Sequence, residues 1–189
     1  MDHGRLSRRG FLGTTAGAAL ALAGVRGAAE EGKAGGKQRK KLPIALELYS
    51  VRDHCAKDLP GTLAQVGKMG YQGVEFAGYH GRTAKDLRSL LDQNGLKCCG
   101  THTGLDTLLG DNLPRTVEFN KILGNPFLIV PGLPRERKGS AKAWLETAKL
   151  FNEIVGKVKA EGMRVGYHNH SEEFKPVDGK TPWDIFFDA

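Results

Sequence analysis

The pattern of apolar and polar positions changes period repeatedly between residues 43 and 187. Short runs of period two, such as residues 44–49, predict strands. Longer runs with apolar residues three and four positions apart predict helices, and most of these runs end at a glycine, as at Gly95 and Gly124. The two kinds of run alternate along the chain.

The predicted strands cover residues 44–49, 73–77, 96–102, 127–130 and 164–170, and the predicted helices cover residues 60–69, 84–93, 113–123 and 141–161. This alternation predicts an α/β fold with a parallel sheet. By itself it does not choose between an open doubly wound sheet and a closed barrel. A Gly-x-Gly-x-x-Gly run is missing after the first predicted strand, which argues against a dinucleotide fold.

Strand side chains alternate between two faces, so the face of each polar residue follows from its position. Four predicted strands carry an acid or an imidazole on the face opposite most of their apolar residues: Glu47, Glu75, His102, and the pair His168 and His170. His102 shares its parity with Gly100 and Cys98, small residues that suit a crowded interior. All these polar groups lie toward the C-terminal ends of their strands, where α/β folds bind ligands. We therefore expect them to meet in one cavity. A solvent-facing Glu47 and a hydrogen-bonded core His102 are the alternatives.

The end of the fifth predicted strand carries the densest polar group. His168 and His170 share a face, and Glu173 follows three residues later. Imidazole and carboxylate groups are common ligands of divalent metals, and a core has no need of three of them together. The sequence therefore predicts a functional site here.

Charge is distributed unevenly along the 189 residues, whose net charge is +7. Residues 1–41 hold nine basic and three acidic residues, which leaves 19 basic and 18 acidic residues in the rest of the chain. The folded part therefore lacks the basic surface that nucleic-acid binding requires. Three cysteines, two of them adjacent, indicate no disulfide framework.

The N-terminal segment matches a twin-arginine signal peptide, predicted over residues 1–29. Ser7, Arg8 and Arg9 precede an apolar run rich in Gly and Ala, with small residues near position 28 for cleavage. This run is shorter than the roughly 20 residues of a membrane span, which favours export over anchoring. Residues 30–41 have the composition of a flexible linker. We expect a periplasmic or otherwise exported protein, with no membrane attachment after cleavage.

Several motifs resemble the sugar phosphate isomerase/epimerase family, whose members have the xylose-isomerase-like TIM barrel fold. They are LELYSVRD at 46–53, GYQGVEFAGY at 70–79, GTHT at 100–103, FNKILG at 119–124, and GYHNH at 166–170 followed by Glu173 and Phe174. The resemblance extends over residues 43–187 and implies a parallel (β/α) barrel of the TIM type in residues 42–189. The barrel is expected to be incomplete, with about five of eight β-α units.

The resemblance also implies a divalent metal (Mn, Mg, Co or Zn) and a small-molecule sugar as substrate. The expected reaction is isomerisation or epimerisation by proton transfer through an enediolate. Ligands that relatives carry on strands six to eight have no counterpart here. We therefore expect a truncated chain that is inactive alone and whose copies associate through the open sheet edge. The alternative is a non-catalytic sugar-binding or interaction protein on the same scaffold.

Site roles follow from the resemblance residue by residue. Glu173 and His170 are predicted as catalytic residues, and the strand-five metal ligand as either Glu173 or His168. The predicted substrate contacts are Glu47, Glu75, His102 and Asn169. No nucleic-acid partner is expected.

Overall fold

The computed structural model describes residues 42–189. The predicted signal peptide and linker lie outside the described residues. No helix within this part of the chain is both long and apolar enough to cross a membrane.

Five strands and five α-helices alternate along the described chain. The strands are β1 Ala45–Glu47, β2 Gly73–Phe76, β3 Lys97–His102, β4 Phe127–Val130 and β5 Arg164–Tyr167; the helices are α1 Arg52–Lys68, α2 Ala84–Gln93, α3 Asn112–Leu123, α4 Ala141–Lys159 and α5 Pro182–Phe187. The strands form one parallel sheet in the order β1-β2-β3-β4-β5. A doubly wound sheet would reverse its strand order partway, whereas a barrel adds each strand beside the last. The predicted α/β class is confirmed, and the order is that of five consecutive units of a (β/α) barrel.

The apolar core lies between the sheet and the helices, in two clusters. One cluster joins β1, β2 and β3 to α1 and α2 and includes Leu63, Val74, Phe76, Leu87 and Leu91. The other joins β4 and β5 to α4 and α5 and includes Leu128, Val130, Trp144, Ile154 and Phe186. Burying these side chains stabilises the fold by roughly 25 cal/mol for each Å² of apolar surface removed from water. The opposite face of the sheet carries Glu47, Glu75, Gly100 and His102, together with Ile129, which pairs with His102.

The first helix is longer than the sequence predicted. A 3₁₀ turn, Leu48–Val51, ends β1 early, and α1 begins at Arg52 rather than at Pro60. Its backbone breaks at Asp58, whose φ of −154° is not helical. The Asp58 carboxylate accepts a hydrogen bond from the Gly61 amide at 3.0 Å, as an N-cap does. Pro60 therefore occupies the first turn of a second helical segment, where its missing N–H costs little.

A bulge in β3 changes the face that each of its residues occupies. Val74 pairs with Cys98 but Glu75 pairs with Gly100, so Cys99 is an extra residue. Cys98 consequently packs in the core beneath the helices, and burial raises the pKa of its thiol to about 12. The prediction that Cys98 shares a face with His102 was wrong, because a strict alternation ignores this insertion.

Candidate functional site

Three side chains from different strands meet at the C-terminal edge of the sheet. His102 Nε2 lies 3.1 Å from Glu75 Oε1 and 3.3 Å from His168 Nδ1. The candidate ligand atoms of Glu75, His102 and His168 all lie within 4.8 Å of one another. This set is called the mouth cluster below. It confirms that the polar groups of strands two, three and five gather in one place.

Strand register explains how these groups meet. Glu75 pairs with Gly100, and His102 is two residues further along β3 on the same face. A Cβ at Gly100 would lie 2.7 Å from Glu75 Oε2 and 3.0 Å from its Cγ, so the glycine leaves the space through which Glu75 reaches His102. The backbone N–H of His168 donates to Val130 O at 2.9 Å, which carries the parallel pairing one residue beyond β5.

The mouth cluster brings together more hydrogen-bond acceptor atoms than its N–H donors can serve. A ring nitrogen carries at most one hydrogen, yet His102 Nε2 faces both a carboxylate oxygen and a second ring nitrogen. One shared proton can satisfy this arrangement, and so can a cation. The His102 side chain is 11% exposed and that of Glu75 is 25% exposed, so water screens the pair only in part.

The donor set fits a divalent ion. Bonds of about 2.0 to 2.2 Å place tetrahedral ligands about 3.3 to 3.6 Å apart. Two of the three separations, 3.1 and 3.3 Å, are already close to this spacing. Two imidazoles and one carboxylate, with a further position left for water or substrate, form a donor set typical of catalytic zinc. The same set also binds other transition metals.

Glu47 lies at the margin of the cluster. Its Oε1 is 3.9 Å from His102 Nε2, and the side chain is 35% exposed. The same oxygen accepts the Tyr49 backbone N–H at 2.7 Å, which fixes the carboxylate at the end of β1. Because β1 and β2 pair Glu47 with Glu75, the two acids stand side by side. The substrate contact that the sequence predicted for Glu47 stays a prediction.

Glu173 lies apart from the mouth cluster and is 1% exposed. Its Oε1 accepts the Tyr167 hydroxyl at 2.6 Å, and its Oε2 accepts the His170 backbone N–H at 2.7 Å. Burial is the largest single influence and would raise the pKa of this carboxyl, but the two hydrogen bonds, with one from its own backbone and the electrostatic effect of His170, together hold the pKa below the usual value. Burial and the bond to Glu173 raise the pKa of Tyr167. The geometry shows a structural link, and the catalytic and metal-binding roles of Glu173 stay predictions that it does not support.

The remaining predicted residues flank the cluster. β5 ends at Tyr167 rather than at His170, so the strand alternation does not continue through this loop. The His170 ring is exposed and stacks on that of His168, with centroids 4.8 Å apart and planes 19° apart. The Asn169 amide donates to His170 O at 3.2 Å. Neither residue belongs to the group of possible metal ligands.

A cavity of about 270 Å³ adjoins the cluster, and His102 belongs to both. Its lining includes Tyr79, Thr103, Phe119, Asn120 and the exposed Arg115. Sequence reasoning did not identify these residues as part of the site. Thr103 and Asn120 are buried and bond to other residues of the protein, so the lining offers a ligand mainly the aromatic rings and Arg115. Four of these residues fall within the motifs of the sequence resemblance, but those motifs carried no role for them.

Comparison with known proteins was informative only at the level of structure. No family model and no curated protein matches this chain. A sugar phosphate isomerase/epimerase from Parabacteroides distasonis is similar over 80% of this chain and 63% of its own, with 25% identity and a TM-score of 0.63. The chain thus spans about three fifths of that protein's length.

Two further solved structures share the fold. A family 2 AP endonuclease from Brucella melitensis is 18% identical, with a TM-score of 0.54 over 67% of this chain and 55% of its own. The IOLI protein with a bound zinc atom is 14% identical, with a TM-score of 0.50 over 67% of this chain and 51% of its own. Other neighbours are described as xylose isomerase domain proteins. The structural neighbours are xylose isomerase-like TIM barrel proteins. This agrees with the resemblance seen in the sequence motifs.

Proposed function

We propose that this chain provides the mouth cluster as the divalent-metal and sugar-binding part of a sugar isomerase or epimerase. The observation that carries the proposal is the convergence of Glu75, His102 and His168 at the C-terminal edge of the sheet. Support comes from the isomerase/epimerase that is 25% identical and from the zinc atom in a neighbour of the same fold. The donor set favours Zn²⁺ or Mn²⁺ over Mg²⁺, because imidazole is a poor ligand for magnesium.

A bound divalent ion would polarise a sugar carbonyl and its neighbouring hydroxyl, which lowers the cost of removing the proton between them. Glu75, His102 and His168 would hold the ion. Glu47 has an oxygen, Oε2, that bonds to no other described residue, and its side chain is 35% exposed. We therefore assign to Glu47 the contact with substrate hydroxyls and the transfer of the proton, a role for which Glu173 is too well paired.

The sugar would extend from the cluster into the adjoining cavity. His102 belongs to both, so a ligand that binds beside His102 can place its next carbons against Phe119 and Tyr79. The two rings pack with centroids 4.3 Å apart and form an apolar wall. Aromatic walls with a few polar groups are usual in small-molecule pockets.

Zinc or manganese titration of the purified chain tests the proposal. We expect one ion per chain, and a midpoint of thermal unfolding that rises with metal and falls again with a chelator. His102→Gln and His168→Gln should each lower the affinity at least tenfold. His54→Gln is the matched control, because His54 is exposed on α1.

Function is tested separately by proton exchange. In D₂O with metal present, an isomerase or epimerase exchanges a substrate C–H proton with solvent, which proton NMR detects in a panel of aldoses and ketoses. Tight sugar binding without exchange would support the non-catalytic alternative. Equal metal affinity in wild type and both cluster variants would rule out the mouth cluster as the site.

A nucleic-acid function gains little from the AP endonuclease neighbour. At 18% identity that similarity concerns the fold alone. Residues 42–189 carry 19 basic and 18 acidic side chains, so their net charge of +1 offers little attraction to a phosphate backbone.

A further inference from the structure

We propose that four buried polar side chains behind β3 position His102 for metal binding. They are Thr101, Thr103, Asn120 and Asn125, called the β3 network below, and they are at most 4% exposed. This inference rests on the proposed function of the mouth cluster. It concerns residues that touch neither the cluster ligands' donor atoms nor the metal, so they act as positioning residues.

Thr101 is at the centre of the network. Its hydroxyl donates to Asn120 Oδ1 at 2.9 Å and accepts from Asn125 Nδ2 at 3.0 Å. The Thr103 hydroxyl lies 3.1 Å from that of Thr101. Asn120 Nδ2 donates to the Thr116 carbonyl in α3 at 2.9 Å. These bonds tie β3 to helix α3.

Asn125 extends the network to the next strand. Its Nδ2 donates to Phe127 O at 2.7 Å, and the Phe127 N–H donates to Asn125 Oδ1 at 3.0 Å. The backbone N–H of Thr103 donates to Ile129 O at 2.7 Å. The two residues on either side of His102 are therefore fixed to both α3 and β4.

The network occupies the boundary between the two core clusters. Thr101 pairs with Phe76 of one cluster and with Leu128 of the other. On α3, Asn120 lies between Val117 and Leu123, which belong to opposite clusters. Apolar side chains could fill this boundary without any cost of burying polar groups. Hydrogen bonds instead fix the orientation of the β3 backbone, because they are directional and apolar packing is not.

Direction matters at this place because His102 points the opposite way. The side chains of Thr101 and Thr103 face the helices, whereas the His102 ring faces Glu75 and His168 across the sheet. A rotation of the β3 backbone at Thr101 would swing the imidazole away from both partners. Metal–ligand distances in well-formed sites stay within about 0.2 Å of their usual values, so such a rotation would disfavour binding.

Isosteric substitutions at Thr101 test the inference. Thr101→Val keeps the shape and removes the hydroxyl, whereas Thr101→Ser keeps the hydroxyl. Thr147→Val is the matched control, because Thr147 is also 0% exposed and donates one hydrogen bond, to Arg137 O at 2.8 Å. It lies on α4, among the elements that pack behind β4 and β5.

Zinc affinity and unfolding temperature are measured for each variant under conditions in which circular dichroism shows a folded chain. We expect Thr101→Val to weaken zinc binding about tenfold, the lower end of what outer-shell substitutions cost. Thr101→Ser should remain within about threefold of wild type. Thr147→Val should lower the unfolding temperature comparably while leaving the affinity unchanged.

The possible failures are distinguishable. If wild type binds no zinc, or His102→Gln binds as wild type does, the proposed function fails. If His102→Gln weakens binding but Thr101→Val behaves as Thr147→Val does, the positioning role is overturned. Should Thr101→Val not fold, Thr103→Val replaces it, since it leaves the Asn120 and Asn125 bonds in place; unchanged affinity there would equally overturn the inference.

Discussion

The two hydrogen bonds of Glu173 predict that this residue stabilises the fold and does not bind metal. Both oxygens of this carboxylate are occupied, by the Tyr167 hydroxyl at 2.6 Å and the His170 backbone N–H at 2.7 Å. Hydrogen bonds to a charged group contribute about 1.5 to 3 kcal/mol each. Glu173→Gln keeps the shape, and its amide can still serve one donor. We therefore expect the free energy of unfolding at pH 7 to fall by about 1.5 to 3 kcal/mol, the value of one such bond.

The loss should depend on pH in a defined direction. The pKa of Glu173 is lowered in the folded protein by its two hydrogen bonds, against the opposing effect of burial. The unfolded chain has an ordinary value of about 4.3. The stabilisation by the charged form is therefore complete above that value and is lost as the pH falls through the lower, folded pKa. The difference between wild type and Glu173→Gln should accordingly narrow below about pH 4.3.

Urea unfolding from pH 7 down to pH 3 measures this difference directly. Tyr167→Phe and the double variant complete a cycle, and the coupling between the two positions should be at least 1 kcal/mol, as expected for a charge-assisted bond. Zinc affinity of Glu173→Gln should equal that of wild type. The opposite result would be a tenfold loss of zinc affinity with the free energy of unfolding unchanged within about 0.5 kcal/mol, the usual range for substitutions without a structural role. That result would show that Glu173 is a metal ligand and not a structural link.

Two further predictions concern the mouth cluster and the N-terminal segment. Gly100→Ala should lower metal affinity about tenfold, because the new Cβ would lie 2.7 Å from Glu75 Oε2. The control is Gly166→Ala, where the new Cβ would meet only Ile129 Cδ1, at 3.0 Å. Equal metal affinities in the two variants would refute the explanation. We also propose export through the twin-arginine route; a reporter fused to residues 1–29 should reach the periplasm, and conversion of both Arg8 and Arg9 to Lys should retain it in the cytoplasm, whereas export that persists in this variant would exclude that route.

Much of the fold could be predicted because local signals and the global arrangement agree. The bounds of α2 follow from its leucine spacing and from Thr83 and Asp86, which form a capping box at its start. The start of α1 could not be found in this way. Residues 52–57 lack a clear apolar period. Asp58 and Pro60 do mark a helix start, but it is the start of the second segment of α1.

The site could be predicted as a place but not as a set of contacts. Parity and strand ends correctly brought Glu75, His102 and His168 together. The sequence assigned Glu75 and His102 to substrate and named either Glu173 or His168 as the metal ligand, and these roles stay predictions. A linear sequence shows neighbours in the chain rather than across the sheet. The partner of Glu173 is Tyr167, whose ring packs against the helices behind β5. The motif at 166–170 contains this tyrosine but does not show which residue it bonds.

The bulge in β3 determines which of its side chains enter the mouth cluster. Cys99 is the extra residue between Cys98, which faces the helices, and Gly100, which faces Glu75. A shift of one residue moves every following side chain to the other face of a strand. If β3 instead ran as a regular strand through Cys99, with no bulge, His102 would share the face of Cys98 and enter the core, and Thr101 would enter the mouth. The chemistry of this edge therefore rests on an irregularity in the backbone as much as on the residues that carry it.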